Sequence, residues 1–149
     1  MDLKHDMLSH GVYIVTASHG GKRAGLALAW ATQLAKDKVV VCVGAQSWTR
    51  NLILSSGAFG LSALARDQID IARRFGGFSS KDTDKFAGLE TFTDTTGSPL
   101  LRDCGLWLDC KVEQVLEPDP THKLIVGTVV AVGRPRPKYE RLIYVEEEY

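Results

Sequence analysis

Two hydroxyl side chains and an arginine lie where a helix is expected to begin. Ser47, Thr49 and Arg50 follow the run KVVVCVG, whose continuous apolar character is typical of a buried strand. The first turn of a helix carries unpaired amides and the positive end of the helix dipole, so these side chains could bind a phosphate there. The alternative is that Ser47 only caps the helix. The neighbouring strand and Arg50 favour phosphate contact.

A run of small residues precedes that strand. The segment 25–35 (GLALAWATQLA) surrounds Trp30 with glycine and alanine. Such residues place little bulk beside the backbone, so a flat ring can approach it closely. A flat ring on one strand and a phosphate at the next helix start is the arrangement expected for a flavin nucleotide. Trp30 itself has two explanations, a core residue or an aromatic side chain that stacks near the ring or at a dimer contact.

The hydrophobic pattern predicts a mainly β chain that forms a single domain over residues 1–149. We expect strands over residues 11–18, 23–34, 39–44, 58–64, 106–115 and 123–132. Two short helices are expected over 47–56, ended by Gly57, and over 68–75, ended by the pair Gly76-Gly77. Many strands with only two helices favour a closed or nearly closed antiparallel barrel. Residues 133–149 form a C-terminal tail.

The sequence GLALAWATQLAKDKVVVCVGAQSWTRNLI resembles the core signature of the flavin reductase-like proteins, which have the FMN-binding split-barrel fold. The resemblance continues through GVYIVTASHGGKRAG upstream and through FGGFSSKDTDKFAG and PTHKLIVGTVVAV downstream. It implies a Greek-key antiparallel β-barrel with short helices. The family's usual Thr and Ser in the small strand are Ala27 and Ala29 here, so backbone groups would make the contacts with the ring.

The resemblance also implies which residues bind the cofactor. It assigns cofactor binding to Ala27, Leu28, Ala29, Trp30, Ala31, Thr32, Ser47, Thr49, Arg50 and Lys81. His122 matches a histidine that the family places near the nicotinamide or the flavin, and it is the candidate catalytic residue; the alternative is an exposed loop histidine. Its role would be orientation or hydrogen bonding, because hydride transfer needs no strong general base. Lys85 is expected in a solvated loop.

The function implied by the resemblance is an NAD(P)H:flavin oxidoreductase that binds FMN, with FAD as the alternative and NAD(P)H as electron donor. A second hypothesis is an FMN-containing electron carrier that passes electrons to a protein partner, and a third is a degenerate, non-catalytic member. A carrier would retain flavin through dialysis, whereas a reductase that uses flavin as a substrate would lose it. Members of the family are generally homodimers, so the tail and the second helix are candidates to reach the partner subunit.

Composition argues against several other classes of function. The 18 acidic residues balance the 18 basic ones, which removes the electrostatic case for nucleic acid or an anionic membrane. An odd set of three cysteines and the absence of a leader pattern predict a reducing, cytoplasmic location. Cys104, Cys110 and His122 lack the short paired spacing of a zinc site. The same holds for the remaining histidines, His5, His10 and His19.

Overall fold

A computed structural model of the chain describes residues 1–77 and 84–149. Its elements are β1 Tyr13–His19, β2 Lys22–Leu28, β3 Ala31–Ala35, β4 Lys38–Gly44, α1 Trp48–Ser56, β5 Ala58–Ala63, α2 Ile69–Gly77, β6 Thr91–Phe92, β7 Leu100–Leu101, β8 Leu106–Asp119 and β9 His122–Gly133. The described residues form a seven-stranded antiparallel sheet in the order β2-β1-β5-β8-β9-β4-β3, and β6 pairs with β7 separately. Within these residues, no helix is long and apolar enough to cross a membrane.

Local sequence explains the first hairpin and the first helix. Gly20 and Gly21 join β1 to β2 with φ angles of 61° and 76°, the positive values that a two-residue hairpin turn requires. Helix α1 is capped by Ser47 at its start. It ends at Gly57, which has a φ of 72° and donates its amide to the Ile53 carbonyl oxygen at 2.8 Å. The predictions for both features are confirmed.

The strand predicted over residues 23–34 is wrong, because the chain turns sharply at Ala29 and Trp30. The Ala31 amide donates to the Ala29 carbonyl oxygen at 3.0 Å, and the Trp30 carbonyl oxygen accepts the Cys42 amide at 2.8 Å. We call Ala29 and Trp30 the corner. It separates β2 from β3, which lie at opposite edges of the sheet. The alternating pattern continues through the corner, so the sequence does not mark it.

Two apolar clusters fill the interior. The first lies between α1 and the sheet and includes Val41, Ile53, Phe59 and Ile125, all fully buried. The second lies beneath α2 and contains Phe75 and Phe86, whose rings meet edge to face with centroids 5.1 Å apart, among other side chains. These clusters fix both helices against the strands that border the candidate site.

Two further expectations are wrong in detail. Gly76 and Gly77 do not follow α2 but lie within its described range, Ile69–Gly77. Lys85 is not solvated: it is 4% exposed and its ammonium donates to the carbonyl oxygens of Phe75, at 2.7 Å, and Gly25, at 3.2 Å. The two carbonyls supply acceptors that a buried ammonium needs, and burial lowers the pKa of Lys85.

The C-terminal tail contacts the rest of the chain through isolated bridges. Gly11 pairs with Ile143 and Ala65 pairs with Arg141, without a continuous ladder. A short 3₁₀ turn follows over Glu146–Glu148. The tail thus packs against both the N-terminal segment and the residues that follow β5. The expectation that the tail or α2 reaches a partner subunit stays a prediction.

Candidate functional site

A cavity of about 320 Å³ opens beside the corner. It is bordered by the end of β2, by the end of β4, by the start of β9 and by one face of α2. Small residues create the space: a Cβ atom added to Gly44 would meet no atom within 4 Å. One added to Gly76 would meet only the Ala27 Cβ, at 4.0 Å. A flat ligand can therefore approach the backbone of both elements closely.

The cavity collects part of the predicted ring site. Its lining includes Ala27, Leu28, Ala29, Trp30 and His122. The last two residues of the predicted ring site do not line this cavity, because the chain enters β3 after the corner. There Ala31 and Thr32 border a second cavity of about 400 Å³.

Two histidine rings lie close to the Trp30 ring at the cavity. Its ring centroid is 5.4 Å from that of His122 and 5.7 Å from that of His5. The indole Nε1 donates to the His5 carbonyl oxygen at 3.3 Å. His122 Nδ1 lies 2.8 Å from Thr121 Oγ1, which leaves the other ring nitrogen available for a ligand. Trp30 is therefore a cavity residue, and His122 is oriented by two neighbours.

The start of α1 lies next to this cavity. The Ser47 amide donates to the carbonyl oxygen of the cavity-lining Gly44 at 3.1 Å. Ser47 Oγ accepts the Arg50 amide at 3.2 Å, so the residue does cap the helix, and its hydroxyl proton remains to donate. The first turn contains no acidic residue. The helix dipole therefore favours an anion at this position.

Arg50 shows an unsatisfied polar group at the same helix start. Its Nη2 donates to Asn51 Oδ1 at 2.9 Å. Its Nε is buried and, in the part of the chain that the structure describes, has no hydrogen-bond partner. Buried donors are nearly always paired, so this atom fits a site that receives an acceptor. Thr49 is only 2% exposed on the buried side of α1. Lys81 lies outside the described residues.

The β8–β9 turn fixes His122 beside β4. The Thr121 carbonyl oxygen accepts the Ala45 amide at 2.9 Å, and His122 pairs with Gly44 in the sheet register. Two hydrogen bonds from Thr121 lower the pKa of the Asp119 carboxyl group. Burial and the nearby Asp119 charge raise the pKa of the Cys42 thiol, which lines the cavity. The raised pKa favours the protonated thiol, which is the less nucleophilic form.

Sequence reasoning missed three aromatic side chains that border the cavity. His5 comes from the N-terminal segment, and Tyr144 and Tyr149 come from the C-terminal segment. Glu146, which contacts the His5 ring, is 141 positions away from it in sequence. No local pattern reports a contact of that separation.

Comparison with known proteins agrees with this geometry. The chain matches the model of the flavin reductase like domain over residues 5–149. It is 33% identical over 127 residues to the ferric-chelate reductase (NAD(P)H) of Archaeoglobus fulgidus, which covers 83% of this chain and 75% of that protein. It is 32% identical over 124 residues to a flavin reductase of Pseudomonas putida, over 80% of this chain and 69% of that protein.

The fold is also that of known structures. It is similar to the crystal structure of flavoredoxin from Methanosarcina acetivorans, with a TM-score of 0.86 over 98% of this chain and 86% of that one. At 22% identity this likeness shows the fold alone, and it confirms the mainly β split barrel. The family resemblance noted in the sequence is confirmed as well, and the chain belongs to the flavin reductase-like family.

Proposed function

We propose that this chain is an NAD(P)H-dependent flavin reductase that binds FMN in the cavity beside the corner. The observation that carries the proposal is that the cavity and a helix start are adjacent. Ala27, Ala29 and Gly44 border the cavity, and Ser47, which caps α1, comes only three residues after Gly44. Its volume of about 320 Å³ is suited to one small ligand. The partnerless Nε of Arg50 supports an anionic group at that helix start.

Each proposed contact follows from the groups present. The ring would lie along the end of β2 and the corner. Ala27 and Ala29 offer no hydroxyl groups there, so backbone atoms would supply the hydrogen bonds. Ser47 and Arg50 would hold the phosphate, since a hydroxyl and a guanidinium both donate to phosphate oxygens. A flavin held by these residues would supply the redox chemistry, the transfer of electrons from reduced nicotinamide to an acceptor. His122 would orient one of the two rings by a hydrogen bond.

Several finer assignments belong to the same proposal. We favour FMN over FAD because, among residues 1–77 and 84–149, one helix start adjoins the cavity, which suits one phosphate. Ala31, Thr32, Thr49 and Lys81 remain predicted cofactor contacts. The free thiols of the three cysteines support a reducing, cytoplasmic location.

We also propose a homodimer. The second cavity, of about 400 Å³, has an apolar floor that includes Leu61, Leu108 and Val129. Nearby Leu34 and Val132 are 55% and 54% exposed. Apolar surface of this kind is stabilised when a partner covers it. Light scattering coupled to size exclusion gives the mass directly, and a mass of one chain would contradict the dimer.

The visible absorption spectrum of the purified protein tests the enzyme proposal. We expect a flavin spectrum when FMN is added, loss of that flavin on dialysis, and bleaching when NADH or NADPH is added without oxygen. Flavin that survives dialysis and is reduced only by a protein or chemical donor would favour the electron carrier instead. Failure to bind FMN, FAD or riboflavin would reject both and favour the degenerate member.

A further inference from the structure

Aromatic side chains from both ends of the sequence border the same cavity as the corner. The rings of Tyr144 and Tyr149 lie with centroids 5.4 Å apart and planes tilted by 41°. His5 borders the cavity as well, and its ring centroid lies 5.7 Å from that of Trp30. Tyrosine rings offer a flat apolar surface that loses little conformational entropy on binding. The boundary thus combines small residues with stacking surfaces.

Polar contacts, most of them exposed, hold the segments that carry these aromatic residues, and Tyr144 also packs against the second apolar cluster. We call residues 4–10 and 144–149 the terminal clasp. Within it, His5 Nδ1 lies 2.5 Å from Glu146 Oε1, and the Asp6 carboxylate accepts the Glu146 amide at 3.1 Å. Lys4 and Glu147 form an ion pair at 3.4 Å, with side chains 50% and 80% exposed. Exposed ion pairs contribute little to stability and are screened by salt.

One further contact attaches the clasp to α2 at the cavity, and a second joins the two segments of the clasp to each other. Arg73 of α2 donates from Nε to the Glu148 carbonyl oxygen at 2.9 Å. The Tyr144 amide donates to the His10 carbonyl oxygen at 2.9 Å. Tyr149 itself remains 45% exposed. A segment with few buried contacts can open while the sheet and its apolar clusters stay folded.

We propose that the terminal clasp is a movable part of the ring site, in which Tyr149 stacks on the bound flavin ring and clasp opening sets the rate of flavin release. The inference rests on the proposed function, because it takes flavin as the occupant of the cavity. A closed clasp shields the flavin ring from water and slows dissociation of the flavin. Weak, exposed tethers keep the opening fast enough for a flavin that must leave.

Stopped-flow dissociation of riboflavin and of FMN, followed by flavin fluorescence, tests this inference. We expect Tyr149→Ala to speed the release of both ligands by the same factor, roughly two- to tenfold, since both carry the same ring. Tyr149→Phe keeps the ring and should release both ligands at the wild-type rate. Thermal unfolding at an unchanged temperature separates this effect from a loss of folded protein.

A charge change within the clasp provides a second, independent variant. Glu146→Gln weakens the contact with His5 and should also speed release. Glu140→Gln is its matched control, because Glu140 forms an exposed ion pair with Arg66 at 3.1 Å and does not border the cavity. Release at wild-type rates in both Tyr149→Ala and Glu146→Gln would overturn the inference while leaving the reductase proposal intact. A wild-type protein that binds neither ligand would reject both.

Discussion

Replacing Ser47 by aspartate separates its capping role from phosphate binding. Aspartate caps a helix about as well as serine, and its charge interacts favourably with the helix dipole. The variant should therefore unfold at the same temperature as the wild type or slightly above it. The new carboxylate would stand beside the proposed phosphate position and repel the phosphate. We expect Ser47→Asp to weaken FMN binding strongly and to leave riboflavin, which has no phosphate, almost unaffected.

The geometry of the cap sets the size of the effect. Ser47 Oγ lies 3.2 Å from the Arg50 amide nitrogen, so a phosphate bound to the neighbouring first-turn amides would place its centre about 5 Å from the new carboxylate. At an effective dielectric constant of about 40, each pair of unit charges at that distance repels by about 1.7 kcal/mol. A phosphate charge of about −1.5 to −2 raises the total to about 3 kcal/mol, or roughly a hundredfold in Kd.

Fluorescence quenching titrations with FMN and riboflavin measure the difference directly. Ser47→Asn is the matched control, since asparagine caps the helix with a similar shape and no charge. The penalty in the aspartate variant should shrink as salt is raised. Equal weakening of FMN and riboflavin, or unchanged FMN affinity in Ser47→Asp, would refute the assignment of the phosphate to this helix start.

Three other substitutions test separate parts of the structure. Gly44→Leu would extend into open cavity space and should weaken FMN and riboflavin alike by roughly 5- to 150-fold at unchanged thermal stability, whereas Gly44→Ala should bind nearly as the wild type does. The pKa of Lys85 is lowered by burial, so the folded protein releases this proton before the unfolded chain does. Urea titrations should therefore show wild-type stability rising, relative to Lys85→Met, as the pH approaches 10.5. Hydrogen bonds from Arg136 hold the pKa of the Asp103 carboxyl below its ordinary 3.8, so this stabilisation is lost as the pH falls through the lowered value; Asp103→Asn should show a smaller acid-induced loss, and an identical loss would contradict it.

Features set by neighbouring residues were predictable from the sequence. The Gly20-Gly21 turn follows from the positive φ angles that glycine accepts, and the limits of α1 follow from Ser47 and Gly57. In each case the cause and its effect lie within a few positions of the sequence.

Features set by closure of the fold were not predictable in the same way. The corner exists because the chain passes from one edge of the sheet to the other. The alternation of residue types along the sequence does not indicate where the chain leaves one strand for the next. The local sequence predicts a polar loop at Lys85. The carbonyl oxygens that accept hydrogen bonds from its ammonium belong to Gly25 and Phe75, which lie 60 and 10 positions away. His5 and Tyr149 border the cavity because the two ends of the sequence lie close together in the fold. Burial and distant contacts decided each of these cases.

The position of the corner also makes ligand binding a contribution to folding. In the described sheet β2 and β3 are edge strands, each with one hydrogen-bonded neighbour, and the proposed ring would lie along the edge that leads into the corner. A ring that bonds to exposed edge amides and carbonyls completes a row of pairings that no other strand provides. A ligand that binds only the folded chain would add to the free energy of unfolding, by about 2.7 kcal/mol at a hundredfold excess over Kd. The cellular supply of flavin would then regulate how much of the protein stays folded.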